Sequence, residues 1–152
     1  IPNIKYVFCN LRGNLKYKYD RLIQKYKCDD YIISVGRLGH FTEMPYYYRD
    51  SDVVLSVPSS DSSPLSVYES MATKTPVIIS DLPWFEHKFK KDCDLVIVPV
   101  RDVEMLANAI IKVLNGESTV DVDSVYEKVF MNFNYKTENI KLEELYTRIL
   151  KD

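Results

Sequence analysis

Residues 52–81 read DVVLSVPSSDSSPLSVYESMATKTPVIISD, and this stretch predicts a strand, a turn, a helix and a second strand. The two strands are the apolar runs 52–57 and 76–80, which are of strand length and rich in β-branched residues. Between them, Ser63 followed by Pro64 is typical of a helix N-cap and a first helical residue, so we expect a helix that begins at Pro64. In such a unit a ligand lies beyond the carboxyl ends of parallel strands, which is where the serine-rich turn falls.

The helix predicted after the turn presents two different faces. The apolar residues that recur at spacings of three and four, and that we expect to face the sheet, are Leu65, Tyr68, Met71 and Ala72. Ser66 and Glu69 share a neighbouring face, so a hydroxyl and a carboxylate point toward the same region. The free N–H groups of a first helical turn attract phosphate, and a carboxylate farther along can accept hydrogen bonds from a ribose diol. Asp61, ahead of the helix, is left to bind a third group of such a ligand.

The composition indicates one globular domain. The 152 residues are 46% hydrophobic, which is enough for a core. Because 20 Lys and Arg stand against 22 Asp and Glu, the net charge is -2, and no basic field favours nucleic acid or an anionic membrane.

The cysteines favour a reducing compartment. Cys9, Cys28 and Cys93 are odd in number and lack C-x-x-C spacing, which argues against a zinc site or a disulfide framework. They are best explained as buried or idle thiols, so the sequence predicts a cytoplasmic protein without a bound metal. The apolar runs are too short to span a membrane, and no signal peptide is expected.

Strands and helices alternate along the chain, which predicts an α/β fold with a doubly wound parallel sheet covered on both faces. The predicted strands are 4–9, 31–35, 52–57, 76–80 and 95–98, and the predicted helices are about 18–27, 44–50, 64–73, 84–90 and 103–115. We expect one sheet of about five strands within a Rossmann-like domain at 1–116. Residues 117–123 are polar and typical of a linker, so 117–152 should form that linker and C-terminal helices. An apolar stripe on the last helix comprises Leu142, Leu145, Tyr146, Ile149 and Leu150.

The motif resembles a known family signature. Asp61 and Glu69 enclose seven residues within a pattern similar to the E-x7-E signature of retaining glycosyltransferases of family 4, also called group 1. Lys74 stands where that family commonly has glycine. Further segments resemble the family in the same order along the chain: 31–37, 44–52, 95–99 with 102–114, and the pair 133–135 and 145–150. The resemblance therefore implies the C-terminal, donor-binding, Rossmann-like domain of a GT-B enzyme.

The resemblance also implies a role for each matching residue. Asp61, the catalytic carboxylate, would contact the donor sugar hydroxyls, and Glu69 would bind the nucleotide ribose. The residues expected to contact sugar and diphosphate are Ser62, Ser63, Pro64, Leu65 and Ser66. Gly36, Arg37 and Leu38, in the loop after the second strand, would contact the base. The implied substrate is a nucleoside diphosphate sugar, with UDP favoured, and no cofactor is implied.

The family pattern extends beyond this chain. In the family, this half of the enzyme opens with a strand that ends in Gly-Arg and is followed by Lys-Gly, and nothing ahead of Ile4 resembles it. We therefore expect the opening strand and an N-terminal acceptor domain to be missing, and the chain to be inactive alone. The full enzyme would transfer the sugar to a hydroxyl acceptor in polysaccharide or glycolipid synthesis, which leaves open a peripheral association with membranes.

Other interpretations of the same residues stay open. The chain could be a non-catalytic α/β interaction or regulatory module, in which Glu69 is a surface glutamate and Asp61 only shapes its loop. The tyrosines at 46–48 are expected to pack a helix with their hydroxyls at the surface rather than to stack on a base. His40 and His87 are expected to be surface residues.

Overall fold

The computed structural model describes residues 3–9, 13–91 and 93–150. The chain divides into two compact units, Ile1–Met44 and Pro45–Asp152. All five predicted strands form and every pairing is parallel, so the α/β prediction is confirmed. The expected single sheet is not found, because the described strands pair as a two-stranded and a three-stranded sheet. Each sheet takes all its described strands from one unit.

The first unit is built on two parallel strands joined by a helix. Strand β1 (Tyr6–Cys9) pairs along its whole length with β2 (Ile32–Val35), and helix α1 (Gly13–Tyr26) connects them. The helix begins earlier than the sequence predicts, at a glycine with a φ of 53°. The Tyr19 ring of α1 contacts the Phe8 ring of β1 at a centroid distance of 4.6 Å.

The second unit carries the rest of the regular structure. Helix α2 (Met44–Arg49) leads into it, and strands β3 (Val54–Ser56), β4 (Val77–Ser80) and β5 (Val96–Val98) form its sheet in that order. Its remaining helices are α3 (Leu65–Ala72), α4 (Val103–Leu114), α5 (Val122–Asn132) and α6 (Tyr135–Ile149).

Helices cover both faces of the second sheet. All four residues of the central strand β4 are buried, and alternate side chains enter different cores. Val77 and Ile79 pack with residues of α3 and α5, whereas Ile78 packs with residues of α4. The doubly wound arrangement predicted from the continuous apolar strands is therefore present in this unit.

Helix α3 buries a different face from the one predicted. Its buried residues are Val67, Ser70 and Met71, while Leu65 is 68% exposed and Ala72 is also exposed. The buried residues still recur at spacings of three and four, but the buried face is rotated around the helix axis relative to the predicted one, because it includes Ser70. The Ser70 hydroxyl donates to the Thr75 carbonyl oxygen at 2.9 Å, and this bond makes burial of a polar side chain tolerable.

Two further predictions differ from the structure. The helix expected at 84–90 is a single 3-10 turn, Pro83–Phe85, followed by irregular turns, and these suffice to bury Phe85 and Phe89. Helix α5 begins within residues 117–123, which the sequence predicted as a linker, and continues into the region where C-terminal helices were expected. It begins where Asp121 accepts a hydrogen bond from the Ser124 amide at 3.1 Å, and its buried residue Val125 belongs to the α3 core.

The last helix, α6, keeps its apolar stripe exposed. The exposed fractions are 47% for Leu142, 40% for Leu145, 57% for Tyr146, 58% for Ile149 and 84% for Leu150. Among the residues that the structure describes, no helix combines the length and the apolar character that crossing a membrane requires.

Candidate functional site

The loop after β3 is shaped by Asp61. One oxygen of its carboxylate, Oδ1, accepts hydrogen bonds from the Ser62 amide at 2.7 Å and the Ser63 amide at 3.1 Å. This is an Asx-type turn, so Asp61 does shape its own loop as the alternative interpretation proposed. Asp61 is nevertheless exposed, and its other oxygen, Oδ2, takes part in no hydrogen bond with the described residues. The carboxylate can shape the loop and still accept from a ligand.

The start of α3 carries no capping side chain. The predicted N-cap, Ser63, was wrong: the N-cap position is Pro64, whose φ is -69°, and the helix begins at Leu65 without a side-chain cap hydrogen bond. The Ser63 hydroxyl is engaged elsewhere, at 3.0 Å from the Tyr68 hydroxyl. Among the described residues, no side chain makes a capping hydrogen bond to the first amides of the helix, so these amides and the positive end of the helix dipole can attract an anion.

A lysine that the sequence analysis missed lies beside this helix start. Lys88 Nζ donates to the Tyr68 hydroxyl at 3.1 Å and to Ser63 Oγ at 3.3 Å, and it lies 5.8 Å from the centroid of the Tyr68 ring. Both hydrogen-bond partners are neutral oxygens, so the positive charge of Lys88 is not neutralised by them. The lysine follows an irregular turn, and no local pattern marks it. It brings a cation to the same end of α3 as the uncapped amides.

Glu69 is held in place by another helix. The Tyr48 hydroxyl, from α2, donates to Glu69 Oε2 at 3.0 Å. The backbone of Tyr48 is bound in turn, because its carbonyl oxygen accepts from the hydroxyl of the buried Thr75 at 2.8 Å. The expectation of surface tyrosine hydroxyls holds for the exposed Tyr46 and Tyr47 but was wrong for Tyr48, which is half-buried. Sequence alone could not reveal this pair, since 21 positions separate its members.

The motif residues thus follow one another around the start of α3. Ser62 to Ser66 run from the loop into the first turn, and Glu69 lies about 6 Å farther along the helix axis than Leu65. Ser66 and Glu69 are both half-buried. The positions expected to contact the base belong to the first unit, in the loop after β2, where Gly36 and Arg37 are exposed and Leu38 is buried. Their role stays a prediction.

The described residues offer no metal centre. Across 3–9, 13–91 and 93–150, no group of three or more His, Cys, Asp or Glu side chains could hold a metal ion. All three cysteines are free thiols, and burial raises the pKa of the Cys9 thiol. His40 and His87 are exposed, as predicted.

Solved structures share this fold over nearly the whole chain. Sucrose-phosphate synthase from Thermosynechococcus elongatus matches 95% of the chain with a TM-score of 0.84 at 24% identity. HepE from Anabaena, solved in complex with UDP-glucose, matches 97% with a TM-score of 0.86 at 12% identity. The fold is that of the C-terminal, Rossmann-like domain of GT-B enzymes.

The family follows from the sequence match. The family of glycosyl transferases group 1 matches residues 1–126, and this chain belongs to it. A curated relative, the UDP-Gal:alpha-D-GlcNAc-diphosphoundecaprenol alpha-1,3-galactosyltransferase of Escherichia coli, is 23% identical over 137 residues, which are 90% of this chain. The chain spans 34% of that relative, 38% of the sucrose-phosphate synthase and 42% of HepE.

Proposed function

We propose that this chain is the donor-binding part of a retaining glycosyltransferase of family 4. The enzyme transfers a sugar from a nucleoside diphosphate sugar, a UDP-sugar, to a hydroxyl acceptor in polysaccharide or glycolipid synthesis. The observation that carries the proposal is the half-buried Glu69, which Tyr48 orients one turn behind an uncapped helix start. Membership of the group 1 family supports it, as does the UDP-glucose bound to the structurally similar HepE. The proposal includes a cytoplasmic location and neither metal nor cofactor.

Each part of the donor has a matching group in the site. The Glu69 carboxylate accepts hydrogen bonds from the ribose hydroxyls, and the first amides of α3 bind the diphosphate together with Lys88. Asp61, the catalytic carboxylate, offers its second oxygen to the sugar hydroxyls. Negative charge develops on the diphosphate as the glycosidic bond breaks, so amides and a cation at this place lower the barrier.

The experiment that tests this assignment compares two isosteric variants by calorimetry with UDP and a UDP-sugar. Glu69→Gln should lower the affinity for both ligands by roughly ten- to a hundredfold, because a charge-assisted hydrogen bond to the ribose that they share is lost. Asp61→Asn should lower mainly the affinity for the UDP-sugar. Its remaining amide oxygen can still accept from the Ser62 and Ser63 amides, so the loop keeps its shape.

The same titrations distinguish a transferase from a module that only keeps the fold. Absence of UDP and UDP-sugar binding by the full-length protein would favour the non-catalytic interaction module. Equal losses of both ligands in both variants would refute the division of roles between Glu69 and Asp61. Replacement of the exposed Glu104, in the first turn of α4, by Gln serves as the matched control and should leave both affinities unchanged.

A further inference from the structure

The pair formed by Tyr48 and Glu69 joins two helices that the sequence keeps far apart. The 3.0 Å hydrogen bond runs from the phenol of α2 to one carboxylate oxygen of α3, and both residues are half-buried. A glutamate side chain on a helix surface normally samples several rotamers, and holding it in one geometry costs conformational entropy. A bond from a rigid ring with two side-chain torsions removes part of that freedom before any ligand arrives.

The backbone of Tyr48 is held by a group other than Glu69. Thr75, 4% exposed, donates from its hydroxyl to the Tyr48 carbonyl oxygen, and Thr75 also lies directly after the turn that ends α3. The turn closes with the Thr75 amide donating to the Ser70 carbonyl oxygen at 3.0 Å. The backbone of α2 is therefore attached to the end of α3 without using the Tyr48 hydroxyl. Removal of that hydroxyl alone should leave the two helices in contact.

We propose that Tyr48 is a positioning residue, whose hydroxyl holds the Glu69 carboxylate in the orientation that accepts the ribose diol of a nucleoside diphosphate. The inference rests on the proposed function and extends it to a residue outside the motif. Tyr48 donates to Oε2, and this bond restricts the orientation of the carboxylate plane. It acts through Glu69 and touches neither the sugar nor the diphosphate.

The experiment measures the affinity of the full-length protein for UDP and for 2′,3′-dideoxy-UDP, which lacks both ribose hydroxyls. Tyr48→Phe should lower the affinity for UDP by about fivefold to tenfold and leave the affinity for dideoxy-UDP unchanged, since only the ribose diol binds the oriented carboxylate. Glu69→Gln should abolish the preference for UDP, and the double variant should bind UDP no more weakly than Glu69→Gln alone. Tyr46→Phe removes a hydroxyl from an exposed ring of the same helix and should change neither affinity.

The outcomes separate this inference from the function on which it rests. If the unaltered protein does not prefer UDP over dideoxy-UDP, the ribose role of Glu69 is wrong and the positioning role falls with it. If Glu69→Gln removes the preference but Tyr48→Phe lowers both affinities equally, or neither, Tyr48 is only structural. A preference that Tyr48→Phe reduces and Glu69→Gln abolishes, with UDP binding of the double variant no weaker than that of Glu69→Gln alone, supports the proposal.

Discussion

Three polar side chains of the candidate site already have a partner within the second unit. Asp61 accepts from two backbone amides, Ser63 contacts the Tyr68 hydroxyl, and Glu69 accepts from Tyr48. Groups held in this way lose less conformational entropy when a ligand binds, because part of it was lost on folding. At the residue scale the site is thus organised before the donor enters.

Lys88 allows a prediction for the charge of the site. Lys88→Met should lower the affinity for UDP by about tenfold and leave the affinity for uridine unchanged, because only UDP carries the diphosphate that the cation attracts. The loss should shrink as salt is added, since screening weakens the interaction in the unaltered protein. Calorimetric titration of both ligands at low and high salt measures these effects.

The control for Lys88 is a nearby exposed lysine. Lys90→Met removes the same charge from the next turn, where its backbone amide donates to Asp94 and stays unchanged. It should lower UDP affinity by less than twofold. Equal losses of UDP and uridine in Lys88→Met would mean that the lysine only supports the Tyr68 ring.

At the scale of elements, α3 is fixed at its C-terminal end and by a neighbouring helix. Its C-terminal turn places Lys74 at a φ of 60°, a left-handed conformation that favours glycine and agrees with the glycine common at this position in the family. Lys74 also pairs with Asp123 of α5 at 2.6 Å, and this hydrogen bond raises the pKa of the lysine. Buried Val125 and Val129 of α5 pack in the same core as Met71 of α3, so α5 supports the helix that carries the motif.

The anchoring of α5 gives a stability prediction. Lys128 of α5 donates to the buried carboxylate of Asp94, which also accepts from the Lys90 amide at 2.8 Å. Lys128→Met leaves that carboxylate without its cation and should lower the free energy of unfolding by about 2 kcal/mol. Urea denaturation followed by circular dichroism measures the change.

An exposed ion pair on the same helix provides the comparison. Lys74→Met breaks the pair with Asp123, in which both side chains are more than half exposed, and should cost less than about 1 kcal/mol. If the two variants lose equal stability, burial of Asp94 does not set the strength of its pair.

At the scale of the whole molecule, the chain supplies the donor-binding part of the proposed enzyme. It spans 34% to 42% of the three relatives named above. The apolar stripe of α6 is exposed in the structure. Positioning of an acceptor and full neutralisation of the diphosphate both depend on groups outside residues 1–152 in this proposal.

We therefore expect residues 1–152 alone to bind UDP weakly and to transfer no sugar. Purified chain incubated with a panel of nucleotide sugars and hydroxyl acceptors should release diphosphate no faster than a heat-treated sample. Acceptor-dependent release that disappears in Glu69→Gln would instead identify a compact transferase that works without further protein.

Local patterns predicted much of the fold. Each strand is a short run of β-branched apolar residues, and a pattern of this kind needs only neighbouring positions to be recognised. The N-cap of α5 was also recognisable in the sequence, because Asp121 is followed by Ser124 and by apolar residues at the helical spacing of Val125 and Val129. Asp121 was nevertheless assigned to the linker. The buried face of α3 was predicted with the wrong rotation, because burial of Ser70 depends on a carbonyl beyond the helix.

By itself, the sequence determined the parallel α/β class, the order of the strands, and the positions of Asp61 and Glu69 around one turn, since all of these depend on spacing along the chain. Only the tertiary structure decided that the strands form two sheets, that Lys88 lies beside Ser63, and that Tyr48 holds Glu69. These depend on which surfaces pack together over separations of 20 residues or more. Which surfaces pack together depends on the combined free energy of burial and hydrogen bonding of many residues that are distant in sequence. A local sequence pattern does not include those residues.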